Sequence, residues 1–151
     1  MPTDTTDTTE PGAPDPDVLE VRQEVAAGPA RVHAAWTDPA ELARWWWPQL
    51  PGTTYDVDAR EGGDYRIRAD QAGFGVHGRF VAVDPPDRLE LTWVWEDGYV
   101  DGPPERVEVL FAAHDGGTRV VVRHHLAAPE AGEGYRQGWT DCLVRLADHL
   151  A

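Results

Sequence analysis

From Thr53 to Ala128 the chain alternates apolar and polar residues in short runs, and near its end it switches to helical spacing. That single change of period constrains the fold more than any other feature. "TTYDVDAR" and "YRIRAD" flank "EGGD", "FGVHGRFVAVD" and "RLELTWVWE" flank "PPD", and "ERVEVLFAAH" and "TRVVVRHHLA" flank "DGG". A period of two places alternate side chains on one face, so each run reads as a strand and each junction as a tight turn. Upstream, "VLEVRQEV" (18–25) adds a strand with Leu19, Val21, Gln23 and Val25 on one face, for seven strands in a largely antiparallel meander. At the other end Tyr135, Trp139, Cys142, Leu143, Leu146 and Leu150 recur at spacings of three and four. That is an amphipathic helix of about four turns.

Between the first strand and the meander lies "AGPARVHAAWTDPAELARWWWP". Pro29 suits a first helical position, with Ala30 to Trp36 following. Thr37 or Asp38 can cap a second helix that starts at Pro39, carries Glu41 in its first turn and stops at Pro48. At about 100° per residue, Trp45, Trp46 and Trp47 cannot share one helix face. The expectation is that Trp45 and Trp46 close the end of the core, and that Trp47 lies at a pocket mouth or contact surface. One long sheet, one long helix and two short ones must share one core. The simplest solution is an α+β domain with the sheet curled around the terminal helix.

Charge and composition then exclude partners. The first residues, "MPTDTTDTTEPGAPDPD", hold five acids, no base and no large apolar side chain. Residues 1–17 therefore read as a disordered acidic tail and 18–151 as the folded domain. The tail lacks the basic start and apolar stretch of a secretory signal, which makes a cytoplasmic location the expectation. Net charge is −14, with every base an arginine, and about −9 remains once the tail is set aside. This speaks against nucleic acid and against an anionic membrane surface. No apolar run approaches the ~20 residues of a membrane span. One cysteine, Cys142, leaves neither an intrachain disulfide nor a thiolate cage.

The segments "GPARVHAAWTDPAELARWW", "DVDAREGGDYRIR", "GRFVAVDPPDRLELTW", "GTRVVVRHHL" and "GWTDCLVRLADHL", in this order, resemble the SRPBCC superfamily. This is the group that includes START domains and birch-pollen-allergen-like proteins. Within it the chain is most similar to bacterial single-domain proteins like the C-terminal domain of the activator of heat-shock protein 90 ATPase. The resemblance covers roughly residues 18–150. It implies a helix-grip fold, a seven-stranded antiparallel sheet around a long C-terminal helix, often enclosing an apolar cavity. Relatives include lipid-transfer domains, polyketide cyclases and aromatase-like enzymes, so the fold implies a pocket more than a reaction. One position departs from the subfamily: Trp47 stands where a small residue usually follows two aromatics.

Taking the more apolar strand face as inward, the candidate cavity residues are Trp47, Tyr55, Tyr65, Phe80, Trp93, Trp95, Phe111, His124, Tyr135 and Trp139. Taken singly, each aromatic reads as core packing. Taken together, and with the resemblance, they read as the lining of a small-molecule pocket. His124 is the inward histidine, either an acid–base group or a hydrogen-bonded core residue. His125, its neighbour on the strand, points to the opposite face, so the two cannot chelate one metal. His77 reads as exposed, and Cys142 as a buried small hydrophobe. Asp56, Asp58 and Asp64 read as a solvated face paired with Arg60, Arg66 and Arg68. No GxSxG elbow, phosphate loop or dinucleotide fingerprint is present, so no catalytic residue, metal or cofactor is assigned.

Three functions follow as expectations. The first is a non-catalytic domain binding a hydrophobic or aromatic small molecule between sheet and terminal helix. The second is a cyclase- or dehydratase-like enzyme using His124 or a tyrosine in the same cavity. The third, implied by the resemblance, is a contact with the heat-shock protein 90 chaperone. The chain is expected to be a monomer or homodimer.

Overall fold

The computed structural model describes residues 17–151. The acidic tail of the sequence reading thus lies, except for its last residue, outside the described residues. Among the described residues there are eight strands: β1 (Val18–Val25), β2 (Thr53–Val57), β3 (Asp64–Ala69), β4 (Phe74–Asp84), β5 (Arg88–Asp97), β6 (Val100–Asp101), β7 (Glu105–His114) and β8 (Gly117–His125). The sheet runs β1-β8-β7-β5-β4-β3-β2, with β6 a two-residue addition to β5, and every pairing is antiparallel. The seven expected strands are all present. The eighth, β6, is too short to leave a periodic trace.

Two helices follow β1: α1 (Pro29–Thr37) and α2 (Pro39–Trp45). Asp38 caps α2 by accepting from the Ala40 N–H at 2.9 Å, and Glu41 lies in the first turn. Helix α2 stops earlier than Pro48 requires, because Trp46 leaves helical geometry and Trp47 enters the left-handed region at φ 58°. A 3₁₀ turn (Pro129–Ala131) leads into α3 (Gly132–His149). That helix buries Trp139, Cys142, Leu143 and Leu146 against the concave side of the sheet.

Curvature has identifiable causes. Strand β4 is bulged between Phe80 and Ala82, which adds local twist. At Gly78 a Cβ would lie 2.1 Å from the Thr92 carbonyl oxygen, so only glycine permits β4 to approach β5 this closely. The inner faces then contribute Val107, Val109, Val120, Val122 and Leu89, all fully buried. Trp45 is fully buried too, its indole N–H donating to the Ala35 carbonyl at 3.0 Å. Among the described residues no helix is long and apolar enough to cross a membrane.

The charged face of β3 differs from its sequence reading. Arg60 does pair with Asp58. Arg66 instead pairs with Glu96 at 2.9 Å, and Arg68 is buried between Glu96 at 3.1 Å and Asp70 at 2.8 Å. Glu96 sits on β5 across β4, a long-range partner that local alternation cannot reveal. Its carboxyl is held down to about 2, chiefly by the Arg66 guanidinium. His77, read as exposed, is half-buried because it also bonds Glu96, at 2.6 Å.

Candidate ligand cavity

Helix α3 does not close fully on the sheet. A cavity of about 490 Å³ remains between them, within the range of about 300–1,000 Å³ typical of ligand sites. The sheet contributes Phe74, Trp93 and Trp95, and the end of α2 contributes Trp46 and Trp47. From α3 and the turn before it come Ala131, Gly134, Tyr135, Gly138, Trp139 and Cys142. The helix positions recur at three and four, so they form one stripe along α3. Gly134 and Gly138 make that stripe open, since a Cβ at either would meet no atom within 4 Å. Seven of the eleven lining residues are aromatic and none is charged.

Local chemistry places each ring. Trp47 packs edge-on against Phe74 and Trp95, with ring centroids 5.0 and 5.9 Å away. These contacts hold a tryptophan in a left-handed conformation that costs such a residue about 1–2 kcal/mol. Phe74 stacks on Trp95 at 5.3 Å. Deeper in, Trp93 donates its indole N–H to the Tyr135 hydroxyl at 3.2 Å. Burial pushes that hydroxyl up to about 12. The Trp46 indole N–H is buried without an acceptor among the described residues, an arrangement that costs about 1–3 kcal/mol.

His124 lies behind this wall with no exposed surface. Its Nδ1 accepts the Trp139 indole N–H at 3.1 Å, so its proton sits on Nε2 and is donated to Glu105 at 2.8 Å. Burial holds the imidazole below the ordinary histidine range despite Glu105. Both ring nitrogens are therefore committed to protein partners. Glu105 accepts a further bond from the Ala127 N–H at 2.8 Å. Cys142 is pushed up to about 11 by burial, which leaves it a thiol rather than a nucleophilic thiolate.

Of the ten residues expected to line a cavity, the structure brings Trp47, Trp93, Trp95, Tyr135 and Trp139 together around it. His124 stands one layer behind, hydrogen-bonded to Trp139. Tyr65 and Phe80 border a separate void of about 20 Å³ deeper in the core. Phe111 packs edge-on against His33 and Trp36. Tyr55 is half-buried and donates its hydroxyl to the Trp46 carbonyl, bracing the end of α2. Sequence reasoning missed Trp46, Phe74 and the glycines. Phe74 begins its strand beside a turn, and only the spacing of Gly134 and Gly138 with Tyr135 and Cys142 hinted at an open stripe.

The family model for activator of Hsp90 ATPase homolog 1-like protein matches residues 26–151. Among proteins of curated function, none matches. DynU16, a protein of the dynemicin biosynthetic locus, is 24% identical with a TM-score of 0.76, over 91% of this chain and 48% of its own. CalU16 from Micromonospora echinospora is 25% identical with a TM-score of 0.71, over 89% of this chain and 76% of its own. Ms6760 from Mycobacterium smegmatis is 23% identical with a TM-score of 0.75, over 89% and 91%. The chain thus spans about half of DynU16 (48%) and most of the other two. At this level of identity DynU16 and Ms6760 share the fold with it.

Proposed function

The chain belongs to the activator of Hsp90 ATPase homolog 1-like family of the SRPBCC superfamily, and from that premise we propose that it binds a hydrophobic aromatic small molecule between α3 and the sheet without transforming it. The observation that carries this reading is the cavity of about 490 Å³ walled by seven aromatic residues and by no charged one. Such a wall offers a large apolar area, and burying apolar ligand surface there is favourable by roughly 25 cal/mol per Å². Binding without turnover is favoured because the groups suited to acid–base or nucleophilic work are spent. His124 uses both nitrogens within the protein, Cys142 stays protonated, and Tyr135 holds its proton well above neutral pH. What remains at the wall is a phenol that can orient a ligand.

A thermal-shift series with neutral aromatic compounds of two to four fused rings tests this. A ligand that binds only the native state at about one hundred times its Kd stabilises it by about 2.7 kcal/mol, several degrees for a chain of this size. At least one compound is expected to do so, with a matching quench of tryptophan fluorescence. If no member of the series shifts the melting temperature, the reading fails. Turnover of a bound compound that disappears in His124→Gln, with the melting temperature preserved, would favour the cyclase-like alternative.

A further inference from the structure

The cavity wall carries no charge of its own, so the charges behind it decide which ligands it tolerates. Glu105 is one such charge, in contact with Tyr135 of the wall and with His124 behind it. Its side chain is 5% exposed, and its ion-pair partner among the described residues is His124, fully buried at 2.8 Å. Burial holds that imidazole below the ordinary histidine range, and the carboxylate's other partners are the Ala127 N–H and the Tyr135 hydroxyl. The carboxylate is thus hydrogen-bonded but has no arginine ion-pair partner among the described residues. It lies against the cavity through Tyr135, whose ring centroid is 4.3 Å from that of His124 and whose hydroxyl feels the Glu105 charge.

The nearby cation does not cancel this. Arg145 donates to the Trp45 carbonyl at 3.0 Å and to Cys142 Sγ at 3.4 Å, and it is half-exposed. A charge in contact with water is screened far more than one buried in protein. The net charge of −14 adds to the same sign of field. At the mouth, Trp95 stands at 90° to both Trp47 and Tyr135. Aromatic faces attract a cation placed within about 6 Å and repel an anion.

We propose that the cavity selects aromatic ligands bearing a positive charge over their anionic counterparts, with Glu105 as the counter-charge behind the wall and the rings of Trp47, Trp95 and Tyr135 around the cationic group. This rests on the cavity being a ligand site. It extends that reading by naming a class: a flat aromatic amine or quaternary ammonium compound, rather than an aromatic or fatty acid, for which no guanidinium is presented at the wall.

A matched trio on one naphthalene skeleton tests it: naphthylmethyl-trimethylammonium, neutral methoxymethyl-naphthalene and anionic naphthylacetate, each titrated by tryptophan fluorescence at low salt. The ammonium compound is expected to bind about tenfold or more tightly than the acetate, with the ether between them. In Glu105→Gln, which keeps the hydrogen-bonding shape, that ratio is expected to fall severalfold while the affinity of the ether stays unchanged. Equal binding of ammonium and acetate, or tighter binding of the acetate, overturns the charge selection while leaving the cavity reading intact. Failure of all three to bind overturns both. The wild-type ratio decides the point even if Glu105→Gln does not fold.

Discussion

At the scale of single residues, three consecutive tryptophans do two different jobs. Trp45 has no exposed surface and is tied to Ala35, while Trp46 is buried between the core and the cavity. Trp47 is only partly buried and spends backbone strain to reach Phe74 and Trp95. Trp45→Ala is therefore expected to cost about 3–5 kcal/mol in denaturant unfolding. Trp47→Ala is expected to cost less, about 1–2 kcal/mol, since the ring is only partly buried, yet to weaken neutral aromatic ligands about tenfold or more. Equal destabilisation by the two substitutions would contradict this division. That the three rings must diverge follows from 100° per residue and was legible from the sequence. The left-handed turn at Trp47 was not, because a non-glycine residue there is held by rings on β4 and β5 that only the fold brings near.

At the scale of elements, the strands were legible wherever alternation was clean, and the terminal helix wherever spacing was three and four. The sequence misled at β3. Arg68 continues an alternating run but is buried, because its partner Glu96 comes from a strand two places along the sheet. Helix α3 carries the opposite case. Gly134 and Gly138 weaken a helix interior by roughly 0.5–1 kcal/mol each relative to alanine. Nothing lies within 4 Å of where their Cβ atoms would be, so packing does not require glycine there. Gly138→Ala is accordingly expected to raise stability by about 0.5–1 kcal/mol, measured by urea midpoint. A loss of stability would mean that α3 packs closer to the sheet than described.

At the scale of the whole molecule, one ionic cluster joins four strands: Glu96 on β5 holds Arg66 and Arg68 on β3 and His77 on β4, and His77 reaches Asp101 on β6 at 3.8 Å. The folded Glu96 carboxyl titrates at about 2, below its ordinary value of 4.5. Its contribution to stability is thus complete above about pH 4.5 and is lost as pH falls toward 2. Glu96→Gln is expected to lower the melting temperature at pH 7 and to flatten its decline between pH 5 and 2, relative to the wild type. An unchanged acid profile would place the acid sensitivity elsewhere.

The overall plan, a curled sheet gripping one helix, could be read from the order of periods. Whether that grip leaves a cavity could not, because it depends on how far α3 stands off the sheet. The most direct measurement is therefore a fluorescence titration with the neutral apolar probe N-phenyl-naphthylamine, comparing the wild type with Gly138→Leu. Leucine there is helix-compatible and its side chain would extend into the cavity. Saturable binding by the wild type, lost in a Gly138→Leu protein of equal or higher melting temperature, is the predicted result. Undiminished binding to Gly138→Leu, or none to the wild type, would contradict a ligand site between α3 and the sheet.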